Sequence, residues 1–343
     1  MLISVVVPFF NAQYTITLCL EALASQQHLP HEIILVDNRS SDNSLEIARS
    51  FQQEHPELKI ELFEEHTPGP SAARNRGIRE ANGEVIAFTD SDCIPDVYWL
   101  QKIEGASVGT STGAVAGRIT GLSPESAINK FHAMFTMKGF PEPQIFTEFT
   151  LLRGGFPTAN LSVKKDLLDS IKGFDETLKI YSEDYDLCAR IYKAGFSIRY
   201  EPDAVVYHKH RNTLKGTWKQ SFGFGTGHAV LLKKHFNKLL MIDFPKYQYI
   251  SKRWPIRAWL DLTGADKKLL GFFILFLIWL PAGCLIPAYL LYLFFVMHKH
   301  LKLNHLSARF IEKWQMIFLL IFKSTALTTG RIIGSIQNRV FCI

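Results

Sequence analysis

Cysteine is scarce in this sequence. Cys19, Cys93, Cys188, Cys284 and Cys342 are the five present in 343 residues, they lie far apart, and no two form a Cys-x-x-Cys pair. That excludes a secreted disulfide scaffold and a zinc ribbon, and a reducing compartment is expected. A signal-peptide layout is also missing, because Met1 to Phe10 has no basic n-region and runs at once into Pro8 and Asn11. It reads as a buried first strand. Neither glycine (22) nor proline (15) is abundant, which, with 47% hydrophobic residues, excludes disorder and collagen-like repetition. Acidic residues almost vanish from the second part of the chain. Residues 212–343 hold 4 Asp/Glu against 18 Lys/Arg (+14), whereas residues 1–211 hold 28 against 20 (−8). An acidic front half argues against a nucleic-acid partner, and a basic tail beside apolar sequence suits an anionic membrane surface.

What is present begins with alternation. Short β-branched runs (Ile3 to Val7, Glu32 to Val36, Lys59 to Phe63, Glu84 to Thr89) are separated by helix-length periodicity near Ala12 to Gln26, Ser41 to Glu54 and Ser71 to Ala81. Continuously apolar strands such as Ile33-Ile34-Leu35-Val36 fit a sheet covered on both faces. The expected fold class is therefore α/β, with a mostly parallel, doubly wound, Rossmann-like sheet that binds ligands at the carboxyl ends of its strands. Two short helices follow, near Lys165 to Ser170 and Asp184 to Ala194. Farther on, Leu269 to Met297 carries no formal charge, and 29 helical residues would span about 44 Å against a hydrocarbon core of about 30 Å. Pro281, Gly283 and Pro287 interrupt it and lysines flank both ends, so a single tilted span and a re-entrant hairpin both fit. A weaker segment, Trp314 to Ile333, can cross back or lie in the interface. The expected division is a catalytic domain over 1–230, a basic linker with interfacial helices over 231–268, and a membrane-associated region over 269–343.

Chemistry concentrates at the strand ends. Asp90-Ser91-Asp92 follows Val85-Ile86-Ala87-Phe88, and two carboxylates at alternate positions there can reach a divalent ion and a ribose. Taken alone, the same pattern is as often a turn or a helix cap. Asp37 ends the second strand, where it can accept from a base or ribose. The helix opening at Ser71 offers N–H groups and Arg74 to a phosphate, while Ser41 or Asp42 reads as a helix cap. Gly155 to Val163, Gly173-Phe174-Asp175-Glu176 and Ser182-Glu183-Asp184-Tyr185-Asp186 complete the set, and the last run is richer in carboxylates than capping requires. His208 and His210 follow the strand Ala204 to Tyr207, and at most one is expected to face the site.

These motifs, in this order over residues 1–210, resemble a family 2 glycosyltransferase with the GT-A fold. The matches are Val5 to Asn11, Val36 to Asp42, Ala73-Arg74-Asn75-Arg76-Gly77, Asp90-Ser91-Asp92, Thr158-Ala159-Asn160-Leu161, Gly173 to Glu176 and Glu183-Asp184. The resemblance implies inverting transfer from a nucleotide diphosphate sugar, uridine diphosphate by default, with Mg2+ or Mn2+. It implies nucleotide contacts for Pro8, Asn11, Asp37, Arg74 and Asp90, metal contacts for Asp90, Asp92 and His208, acceptor contacts for Asn160 and Glu183, and Asp184 as base. Processive members carry Gln-x-x-Arg-Trp. Here Arg253-Trp254 follows Gln248 at the wrong spacing, and no Arg-Trp follows Trp218-Lys219-Gln220. A single-addition enzyme is expected, with its catalytic domain in the cytoplasm and a lipid-linked or glycan acceptor at the membrane. The alternatives are a sugar nucleotidyltransferase and a catalytically silent membrane scaffold.

Overall fold

The computed structural model describes residues 1–107, 111–122, 125–136, 139–178, 181–209 and 213–343. Two compact units emerge, Met1–Leu122 with Lys138–Lys209, and Ser123–Met137 with His210–Ile343. The first opens with β1 (Ile3–Phe9), α1 (Ile16–Ala24), β2 (Glu32–Asp37), α2 (Ser44–Glu54), β3 (Ile60–Glu64), α3 (Pro70–Glu80) and β4 (Val85–Phe88). It continues with β5 (Cys93–Pro95), α4 (Trp99–Ala106) and β6 (Thr112–Gly121), after which α5 (Ala127–Phe135) belongs to the second unit. β7 (Gln144–Phe146), β8 (Leu161–Lys164), α6 (Lys165–Ser170), α7 (Glu183–Lys193) and β9 (Ser197–His208) complete the first.

Its sheet runs β3-β2-β1-β4-β8-β6-β9-β5, with β7 also on β9. The β3-β2-β1-β4 half is parallel, as the apolar runs require, because helices cover both of its faces. Beyond β4 the sheet is mixed: β8 is antiparallel to both neighbours, β6 and β9 are parallel, and β5 is antiparallel to β9. Helix α3 lies unusually close to β1. A Cβ at Gly77 would sit 2.4 Å from Val6 Cγ1, so only glycine allows this approach. Two helices start later than expected. Asn11 takes a left-handed conformation (φ +50°) and its Oδ1 accepts from the Ser41 N–H at 2.8 Å, which holds both loops out of helix until Ile16 and Ser44. Asp42 lies one residue before the N-cap Asn43, which makes no capping bond of its own, and accepts from the Ser44 N–H at 3.0 Å.

The second unit holds α5, α8 (Leu214–His235), β10 (Leu239–Asp243), β11 (Gln248–Ser251), β12 (Arg257–Asp261), α9 (Ala265–Ile278), α10 (Leu285–Leu303), α11 (Phe310–Asn338) and β13 (Phe341–Cys342). Residues 231–268, expected as linker and interfacial helices, instead supply three strands of a sheet ordered β11-β10-β12-β13. The reason is a period of two: Leu239, Met241 and Asp243 are buried in turn, with half-exposed residues between them. Helices α8 and α11 pack with almost no gap, since a Cβ on Gly225 would meet the Leu327 carbonyl oxygen at 2.1 Å. Arg331 of α11 is wholly buried, donating to Asp261 at 2.8 Å and stacking 4.3 Å from the Trp259 ring centroid. Much of the second apolar segment is therefore covered by protein.

Leu269 to Met297 is not one continuous helix. A 3-10 turn over Leu280–Cys284 separates α9 from α10, where Pro281 removes a backbone donor. The two helices fold back on each other, with Phe272 and Tyr289 ring centroids 5.5 Å apart. The arrangement is a hairpin with an apolar, outward-facing apex at Ile278, Trp279 and Leu280, and lysines only at its open end. By length and composition, Leu280–Leu303 and Phe310–Asn338 could each cross a membrane.

Candidate active site

The site is assembled at the carboxyl ends of β1, β2 and β4. Asp37, the last residue of β2, is buried, and its two oxygens accept from the Ser40 N–H at 3.2 and 3.3 Å. Asn11 sits beside it and binds the same loop, and Pro8 lies in β1 opposite Val36. The first two strand-end loops are thus laced together before any ligand arrives.

Arg74 is the hub. It is 5% exposed, and a guanidinium removed from water needs paired anions. It donates to Asp90 Oδ1 at 2.8 Å and to Glu183 Oε1 at 3.4 Å, and lies 5.5 Å from the Phe174 ring centroid. Next to it, Asn75 brackets Phe174, accepting from its N–H at 2.8 Å and donating to its carbonyl at 2.9 Å. Four stretches widely separated in sequence, around residues 74, 90, 174 and 183, are joined by these two neighbours. Glu183, expected at the acceptor, is a counter-ion of Arg74 and also accepts from the Ser182 N–H.

Asp92 and His208 are brought together by a strand that the sequence pattern did not reveal. β5 begins directly after Asp92 and pairs antiparallel with the end of β9, Cys93 opposite His208. The carboxylate and the imidazole meet at 3.3 Å, and the ligand atoms of Asp92, Cys93 and His208 all lie within 4.8 Å of one another. Burial disfavours the Asp92 carboxylate, but the His208 hydrogen bond and charge outweigh it and hold its pKa below the usual carboxylate value. The donor set fits a hard to borderline divalent ion. Asp92 supplies oxygen and His208 nitrogen, whereas Cys93, fully buried, offers only soft sulfur. Asp90 stands outside this cluster, with its Oδ1 held by Arg74 at 2.8 Å. Side chains at i and i+2 of a strand share a face, so alternation does not separate His208 from His210. His210 lies outside the described residues.

Asp184 is the second residue of α7 and is half-exposed. Burial, then the negative charge of Glu183, push its pKa up to about 7, although the Tyr185 N–H and Arg74 pull the other way. Asp186 has a different task, fully buried and paired with Arg190 at 2.8 Å. Asn160, expected at the acceptor, is buried. Its Oδ1 accepts from Trp99 Nε1 at 2.8 Å, and its Nδ2 donates to the carbonyls of Arg118 and Ala204, both at 2.9 Å. With three of its four hydrogen-bonding positions used in the interior, it pins α4, β6 and β9.

Comparison with known proteins agrees with this geometry. The chain matches the model of glycosyl transferase family 2 over residues 4–170 and that of glycosyl transferase family group 2 over residues 93–298. It is 31% identical to glycosyltransferase AglE of Haloferax volcanii over 229 residues, which is 66% of this chain and 72% of that one. Among solved structures, mannosyltransferase PcManGT of Pyrobaculum calidifontis, in complex with GDP-Man and Mn2+, superposes with a TM-score of 0.54 at 20% identity, over 68% of this chain and 65% of that one. S. aureus TarS 1-349, in complex with UDP-GlcNAc, gives a TM-score of 0.50 at 20% identity, over 69% and 68%. The fold is the GT-A fold of these enzymes, and the chain belongs to glycosyl transferase family 2.

Proposed function

We propose that the chain moves one sugar per cycle, with inversion, from a nucleotide diphosphate sugar to a hydroxyl of a lipid-borne acceptor. The observation that carries this reading is Asp184. A carboxylate raised to about 7 at a helix start, next to Glu183, whose partner Arg74 also holds Asp90, is tuned as a general base. Asp184 takes the proton of the acceptor hydroxyl as the acceptor oxygen bonds to the anomeric carbon. The bond to the diphosphate breaks on the opposite face, and the electron pair leaves with the nucleotide. Asp92 and His208 would hold Mn2+ or Mg2+, which when bound neutralises charge on the leaving diphosphate. Asp37, with Asn11 and Pro8 beside it, lines the nucleotide end. Arg74 keeps Asp90 and Glu183 in place. Uridine diphosphate is the default nucleotide, consistent with the donor bound to TarS.

The α9–α10 hairpin embeds in the membrane, with the catalytic unit on the cytoplasmic side where nucleotide sugars are made. Fourteen residues of α9 reach about 21 Å, too short for a hydrocarbon core of about 30 Å. A re-entrant hairpin with lysines at its open end fits better than a crossing.

The test is a panel of nucleotide sugars given to the purified full-length protein with and without polyprenyl-phosphate-linked acceptors. Release of nucleotide diphosphate, lost in EDTA and restored by Mn2+ or Mg2+, is expected. Pyrophosphate release would mark a nucleotidyltransferase, and no release from any donor would mark a silent scaffold.

A further inference from the structure

We propose that the β10–β11 turn of the second unit, Phe244 to Tyr247, is a second membrane contact that docks on anionic lipid headgroups beside the α9–α10 hairpin. This rests on the membrane reading of that hairpin. Strand register supplies the first argument. β10 and β12 are parallel with Asp243 opposite Asp261, so the turn after Asp243 and the three-residue link from Asp261 to α9 leave the same end of the sheet. The Leu262 N–H donates to the Asp243 carbonyl at 2.9 Å, joining the turn to the link. Whatever surface the open end of the hairpin meets, the turn is at its level.

The residues there suit a membrane interface. Phe244 and Tyr247 stack with centroids 4.4 Å apart, and the turn is closed by the Phe244 N–H donating to the Tyr247 carbonyl at 2.9 Å. Tyr247 is 64% exposed and Tyr249, on β11, 52%. Pro245, Lys246 and Leu262 are exposed around them. Rigid amphipathic rings beside a lysine are what the headgroup layer selects.

Charge decides the kind of partner. All four acidic residues after residue 212 are turned inward: Asp243 to Trp259 and Gln248, Asp261 to Arg331, Asp266 to Ser324, and Glu312 to Lys130 and the Arg309 N–H. None is exposed, so this part of the chain presents cations without competing carboxylates. The same face of a second copy would be repelled, whereas phosphatidylglycerol-type headgroups would be attracted. The opposite end of the sheet is a built-in control. Lys252-Arg253-Trp254 is also exposed, but it follows Ser251, which pairs with Leu240 at the far end of a strand of five residues, about 17 Å away and beyond a Debye length of about 8 Å.

The experiment uses the full chain in a Cys284→Ser background, since Cys284 is the one exposed cysteine of the five. A nitrobenzoxadiazole probe is placed on Tyr249→Cys or, within the hairpin, on Tyr292→Cys. Each protein is reconstituted into phosphatidylcholine vesicles with or without phosphatidylglycerol, with headgroup-depth doxyl lipid as quencher. We expect the Tyr249 probe to shift to the blue and be quenched only in the anionic vesicles. Lys246→Glu should abolish that difference, and Lys252→Glu with Arg253→Glu should leave it. A water-exposed Tyr249 probe beside a quenched Tyr292 probe overturns this proposal and leaves the hairpin reading standing. Both probes in water overturn the hairpin reading and this proposal with it. Equal quenching in zwitterionic vesicles overturns the assignment to anionic headgroups, and a blue shift in detergent that grows with protein concentration assigns the face to a second copy.

Discussion

Asp184 and Asp92 are both carboxylates in short acidic motifs, yet their surroundings drive them in opposite directions. Burial and Glu183 raise Asp184 to about 7, while His208 keeps Asp92 low. A consequence for stability follows. The unfolded chain releases the Asp184 proton near the ordinary value of 3.8, while the folded chain keeps it to about 7, so folding takes up a proton between those values. Stability therefore falls as pH rises through that window, and the loss is complete above it. Thermal melts at the two ends of the window should show a drop in Tm for the wild type that Asp184→Asn reduces. An unchanged slope in the variant would remove Asp184 as its source. For the Asp92 and His208 pair, Mn2+ titration followed by electron paramagnetic resonance should show affinity falling at least about tenfold in His208→Ala, because one of two protein donors is lost. Wild-type affinity would mean that the imidazole is not a ligand.

At the level of elements, the polar interior gives one motif residue a structural task. Asn160 closes three hydrogen bonds between α4, β6 and β9. Asn160→Ala leaves the buried Trp99 Nε1 and Ala204 carbonyl without this partner, each costing about 1–3 kcal/mol. A calorimetric Tm several degrees below wild type is expected, with bound-nucleotide affinity preserved in whatever fraction stays folded. A wild-type Tm with lost acceptor binding would return Asn160 to the acceptor. The sequence made the parallel half of the sheet legible because β1, β2 and β4 carry the apolar runs Val5-Val6-Val7, Ile33-Ile34-Leu35-Val36 and Val85-Ile86-Ala87-Phe88, and it placed α6 to the residue. It hid β5, since three residues, Cys93-Ile94-Pro95, carry no periodicity and acquire strand geometry only by pairing with β9. The candidate site was legible as a set of motifs, but the division of labour within it was not. That Arg74 holds Asp90 and Glu183, leaving Asp92 to meet His208, depends on contacts between residues up to 116 positions apart in the chain. Likewise the strands of 239–261 were masked by a basic, aromatic composition that suggested an interface.

On the scale of the whole molecule, the chain divides its charge as it divides its work. The acidic unit gathers carboxylates at strand ends, and the basic unit turns inward all four acids that follow residue 212 and exposes a hairpin with an uncharged apex. Full-length protein should stay in the membrane pellet after washes in high salt and then carbonate, because the apex of the hairpin holds no charge to release it. Recovery in the soluble fraction without detergent would sink the membrane reading. Truncation ahead of the hairpin is a poorer test. Removing α11 would strip the cover from α8 and leave Asp261 without Arg331. The most direct test of the account as a whole is kcat/KM for nucleotide diphosphate release across the neutral pH range, in wild type and in Asp184→Asn shown to be folded. The wild type should rise with pH through a midpoint near 7, as the base loses its proton. The variant should fall by about two to four orders of magnitude and lose that rise. Near-wild-type turnover with the same pH dependence in Asp184→Asn would contradict the assignment of Asp184 as the base on which the proposed transfer depends.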